Sequence, residues 1–97
     1  MAEFKQDTNI LTSSYTAIAD SDVILTVQNA NADDKQVVLK MDIVYTSVTR
    51  TLSLTSLAKG GSIWSSDPGY RVPAGTTFTI TSNSQATFHC DWTEVAL

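Results

Sequence analysis

The sequence predicts an all-β domain, an antiparallel β-sandwich of about seven or eight strands with jelly-roll or immunoglobulin-like connections. Three observations lead there. Apolar and polar side chains alternate along most of the chain, no window of a dozen residues carries a 3.6-residue apolar period, and turn-forming residues recur about every eight to twelve positions. At 97 residues the chain fits one domain.

Residues 1–9 (MAEFKQDTN) mix charge and polarity without an apolar stripe. They are expected to form a flexible arm, leaving 10–97 as the folded domain. Residues 8–19 (TNILTSSYTAIA), with a Ser13-Ser14 break, read as one bent strand or two short ones, closed by an Asp20-Ser21-Asp22 turn whose side chains can bond back to the backbone. In the next strand Val23, Leu25 and Val27 share a face. The Asn/Asp loop 29–34 then leads into 36–46, where Val37, Leu39, Met41, Ile43 and Tyr45 point one way and Val38, Lys40, Asp42, Val44 and Thr46 the other, a half-buried pattern. Ser47-Val48-Thr49 links this to Arg50–Leu57, with Leu52 and Leu54 on one side. Gly60-Gly61, Asp67-Pro68-Gly69 and Pro73-Ala74-Gly75 are turns. Between and after them lie short strands at Ser62–Trp64 and Tyr70–Val72, a strand at 76–82 with Phe78 and Ile80 inside, and a last strand over 85–95.

Composition excludes several classes. The net charge is −4, and the six basic residues (Lys5, Lys35, Lys40, Arg50, Lys59, Arg71) are scattered, so no positive face for phosphates is expected and nucleic acid is not a partner. The longest apolar runs are far too short to span a bilayer as a helix, and residues 1–9 lack the apolar segment of a secretory signal. Synthesis in the cytoplasm is the expectation, and a single Cys90 agrees with it and allows no internal disulfide. A small domain without disulfides or a metal cluster commonly gains stability from partner subunits, which favours a homo-oligomer.

No residue set announces catalysis. His89-Cys90-Asp91 invites a thiolate reading, but strand alternation sends Ala86, Phe88, Cys90 and Trp92 to one face and His89 and Asp91 to the other. Cys90 then reads as a core residue. The loop aspartates 20, 22, 33, 34 and 67 lack the alternating carboxylates and central Gly of a calcium loop. One His and one Cys do not make a zinc site, and no Gly-x-Ser-x-Gly elbow exists. The chain is expected not to be an enzyme and to need no cofactor or metal. Trp64 and Tyr70 flank the Asp67-Pro68-Gly69 turn. They could form an exposed platform for a sugar ring, or pack on the sandwich edge or in a subunit interface, the reading we favour.

The run Tyr70-Arg71-Val72-Pro73-Ala74-Gly75-Thr76-Thr77-Phe78-Thr79-Ile80, with Val23–Asn29 and its Asn/Asp loop, resembles small β-sandwich virion proteins of tailed bacteriophages, of the capsid decoration (cement) type. That resemblance implies a non-enzymatic virion protein, made in the host cytoplasm. It would form a homotrimer or other homo-oligomer on the major capsid protein and stabilise the phage head. A tail or fibre component and a carbohydrate-binding module are the alternatives. Phe4 and Lys5 in the arm, with Trp64, Tyr70 and Arg71, are the expected interaction residues, and the arm is expected to reach a neighbouring subunit.

Overall fold

A computed structural model describes residues 2–45 and 47–97, and strand is the only regular secondary structure among them. The strands are β1 (Ala2–Ile10), β2 (Thr12–Thr16), β3 (Ser21–Asn29), β4 (Val37–Tyr45), β5 (Val48–Leu57), β6 (Ile63–Ser65), β7 (Tyr70–Val72), β8 (Thr77–Ser82) and β9 (Phe88–Ala96). Two antiparallel sheets face each other. One runs β1-β9-β3-β6, with β7 also paired to β3, and the other runs β2-β8-β4-β5.

The pairings β1 with β9, β2 with β8, β3 with β6 and β7, and β4 with β5 are the rungs of one long hairpin folded over itself, with successive rungs falling in opposite sheets. This is jelly-roll topology. Because β6 and β7 both lie on β3, they are two halves of one strand position, which gives eight positions in all. Between them the chain turns through a cis Asp67–Pro68 peptide and Gly69 at φ +102°. A side chain at Gly69 would collide with Val23 O and Ile24 Cγ1, so glycine is required for β7 to lie against β3.

The alternation read from sequence is what fills the core. Val23, Leu25, Val27, Val37, Leu39, Met41, Ile43, Phe78, Ile80, Ala86, Phe88, Cys90 and Trp92 are all buried, and Tyr45 is half-buried. Tyr15 stacks on Trp92 at 5.9 Å, Trp92 meets Phe78 at 5.8 Å, and Phe78 meets Tyr70 at 6.0 Å, so four rings tie the two sheets together. Trp92 Nε1 donates to Ser13 Oγ at 2.7 Å, and that hydroxyl donates to Asp7 Oδ2 at 2.5 Å, which satisfies the polar atoms carried inside.

Three sequence expectations change. The segment expected to be an arm is strand β1, paired with β9 from Ala2↔Val95 to Ile10↔Phe88, so the sandwich includes residues 2–10. The Ser-Ser break expected near residue 13 lies inside β2, and the chain leaves β1 at Leu11 instead. The last strand begins at Phe88, because residues 83–87 turn, with Gln85 at φ +66° and Ala86 N donating to Asn83 O. Thr46, the last residue of the strand expected over 36–46, lies outside the described residues.

Exposed sheet edges invite further pairing unless they are guarded. Strands β2 and β6 are short. On β1, Lys5 and Asp7 sit opposite the buried Trp92 and Cys90, so charges occupy inward positions. On β5, Arg50 lies opposite buried Ile43, and an extra residue at Leu54 breaks the register against Leu39 and Lys40.

Candidate functional site

Register decides which side chains each outer face presents. On the outside of the β1-β9-β3 sheet, Phe4, Thr93 and Ile24 form one row. The neighbouring rows are Val95, Asp22 and Arg71 on one side, and Gln6, Asp91, Thr26 and Ser65 on the other. Phe4 is 76% exposed in the middle of an ordered strand, and Val95 is 43% exposed beside it. An open hollow of about 440 Å³ runs past Phe4, Lys5, Gln6, Asp91, Trp92 and Thr93. A large exposed ring on a paired strand gains much by being covered.

The opposite outer face is chemically different. Its rows are Thr12, Thr81, Lys40 and Ser53; Ser14, Thr79, Asp42 and Thr51; and Thr16, Thr77, Val44 and Thr49. The Ser14 and Thr79 hydroxyls are 3.1 Å apart, as are those of Thr16 and Thr77, and Thr51 Oγ1 donates to Asp42 Oδ1 at 2.6 Å. Four of these hydroxyls pair with one another and a fifth with Asp42, and no aromatic stands among them. The Phe4 face is therefore the better candidate for docking.

Of the five expected interaction residues, the structure brings Phe4 and Arg71 onto this one face. Arg71 is held there by Asp22, with Nε to Oδ1 at 3.0 Å and the second guanidinium nitrogen to Oδ2 at 3.1 Å. That fork lowers the Asp22 carboxyl and raises the guanidinium. Lys5 points to the inner side, where Nζ donates to Ser14 O at 2.7 Å and pairs with Asp7 at 3.4 Å. Trp64 lies opposite buried Val27 and Tyr70 opposite buried Val23, so both turn inward and are half-buried. Burial also raises the Tyr70 hydroxyl above its ordinary range. The flat aromatic pair of the sugar-binding alternative is thus absent from this turn.

Sequence reasoning missed Glu94. The residue is 2% exposed, and its carboxylate accepts from Tyr15 OH at 2.5 Å, Ser21 Oγ at 2.6 Å, Ile18 N at 3.0 Å and Ala19 N at 3.1 Å. Burial raises its pKa, but the Ser21 and Tyr15 hydroxyls and the two backbone N–H groups together outweigh burial and hold it at about 2. It ties β9 to β2 and to the turn before β3. The parity that puts Cys90 and Trp92 inside also puts Glu94 inside, and that was the available signal.

Cys90 and His89 do lie on opposite sides of the sheet. Cys90 is buried, and burial pushes its thiol up to about 12, the reverse of an activated thiolate. His89 Nδ1 accepts from Asn9 N at 3.0 Å. Native protein is accordingly expected to leave Cys90 unmodified by a chromogenic disulfide reagent at pH 8 over hours, with one equivalent reacting promptly in denaturant; prompt native labelling would contradict the buried placement. Among the described residues, no three His, Cys, Asp or Glu side chains converge as a metal site would need.

No family model matches the chain, and no curated protein matches it by sequence. Solved structures resemble it in outline. The Drosophila melanogaster CENP-C cupin domain aligns at TM-score 0.45 and 12% identity over 98% of this chain, which spans 60% of that one. The C-terminal domain of A223, a structural protein of Sulfolobus turreted icosahedral virus, aligns at 0.41 and 15% over 99% of this chain and 95% of that one. A Bacillus endospore appendage protein, from disulfide-linked pili, aligns at 0.36 and 16% over 100% and 91%. Likenesses this distant say nothing about function.

Proposed function

We propose that this chain is a non-enzymatic virion structural protein, a capsid decoration protein that assembles with copies of itself on the major capsid protein of a phage head. The observation that carries the reading is Phe4, a solvent-exposed aromatic on the outer face of a paired sheet beside Ile24, Val95 and the Arg71–Asp22 fork. Central aromatic anchors with a polar rim are how proteins hold one another. A decoration protein does no chemistry. It adds buried interface across capsomer joints and so raises the barrier to rupture. Made in the host cytoplasm, it would reside in the virion, with no nucleic acid, membrane or cofactor as partner.

Cosedimentation with capsids of the encoding virus tests this. The protein is expected to pellet to a fixed ratio per coat subunit, and Phe4→Asp to weaken binding by about thirtyfold or more, as loss of an interface anchor does. The melting temperature should stay unchanged, because Phe4 contributes little burial to the fold. Wild-type binding by Phe4→Asp would overturn the assignment of this face.

A further inference from the structure

We infer that β1 is an exchangeable strand, which leaves its own β9 and pairs with the β9 of a second copy of this chain. The inference deepens the assembly reading by naming the contact between copies, and rests on that reading only for its biological use. Strand β1 is held by its backbone ladder, by the polar contacts of Lys5 and Asp7 to β2 and by Ile10 at its end, and none of its described side chains is buried, with only Asp7 and Ile10 half-buried. Elements with so little buried apolar contact open first.

The connection is built to let go. Thr8 and Asn9 together face the single residue His89, and Asn9 takes φ +55°, a left-handed conformation that strains a non-glycine residue. Leu11 alone separates β1 from β2, and it is 47% exposed. Short strained hinges of this kind favour exchange between copies. Relaxed into one extended strand, residues 2–16 would reach about 50 Å, against a longest domain dimension of 39 Å.

The vacated edge specifies its occupant. Opening β1 uncovers the β9 edge that carries Phe88, Cys90 and Trp92, all fully buried in the closed chain. A strand filling that edge must also place Asp7 to receive the Ser13 hydroxyl and Lys5 to reach the Ser14 carbonyl. A second copy's β1 does this with the contacts already present. The inward charges that block an added strand leave replacement as the route open.

Gln6 and Asp91 face each other across the ladder, at the separation a disulfide spans. The test mixes a Gln6→Cys chain with an Asp91→Cys chain under native conditions and oxidises the mixture. The doubly substituted chain, closed in dilute solution, sets the attainable crosslinking yield. The expected result is a mixed dimer well above the homodimer background, rising with concentration and reduced severalfold by Asn9→Gly, which relieves the hinge. Light scattering should also show that the internally closed double variant has lost the wild-type oligomer. No mixed dimer above background, or a closed variant that still associates as the wild type does, would overturn the exchange. Capsid cosedimentation of the closed variant keeps the two ideas separate, because docking through Phe4 does not require β1 to open.

Discussion

Replacing Glu94 by alanine is expected to cost about 3–5 kcal/mol, as breaking a buried charged network does, out of the roughly 5–15 kcal/mol that holds a domain of this size. Four donors converge on that carboxylate, and its removal leaves the Tyr15 and Ser21 hydroxyls and the Ile18 and Ala19 N–H groups without their acceptor. Glu94→Gln keeps the volume but turns an amide N–H toward donors, so it should destabilise by a smaller amount. The pH dependence follows from the same network. With a folded pKa of about 2 against an ordinary 4.5, the contribution is fully present above about pH 4.5 and is lost as pH falls toward 2, because the unfolded chain takes up the proton first. Denaturant titrations at pH 7 and pH 3 should show wild type losing stability between the two. Glu94→Gln should lack this residue's share of that loss; an acid limb unchanged by the substitution would contradict the placement.

Trp92→Ala carries a comparable expected loss, about 3–5 kcal/mol for deleting a fully buried large aromatic. Its indole stacks on Tyr15, meets Phe78 and donates to Ser13, so truncation opens a cavity between the sheets and breaks the hydrogen-bond chain that ends at Asp7. In a domain this small each kcal/mol moves the melting temperature by about 4–8 °C, so Trp92→Ala should melt at least 12 °C lower in calorimetry or be unfolded. Trp92→Phe retains most of the packing and loses the Ser13 bond, and about 1–2 kcal/mol is expected. A truncation that costs under 1 kcal/mol would place Trp92 outside the core.

The strands that bury one apolar stripe were legible in the sequence, because their central inward positions are apolar; Val23, Leu25 and Val27 in β3 and Phe88, Cys90 and Trp92 in β9 are the clearest cases, with the buried polar residues Ser21, Asn29 and Glu94 flanking those stripes. Strand β1 was illegible for the converse reason. Its inward positions hold Lys5 and Asp7 while Phe4 points to solvent, so its pattern is inverted and it reads as an arm. The choice between jelly roll and immunoglobulin-like order depends on pairings such as Ala2↔Val95, at opposite ends of the chain, which leave no local trace. The proposed docking face joins Phe4 from one end of the sequence to Arg71 from another, and only register shows that Trp64 and Tyr70 turn the other way.

The claim on which the functional account turns is that partners meet the Phe4 face and leave the hydroxyl face bare. A photoreactive amino acid placed at residue 4, with a control at exposed Lys40 on the opposite sheet, tests it in assembled particles. Crosslinks to coat protein from position 4 and none from position 40 are the predicted result. Crosslinks from position 40 alone would contradict it.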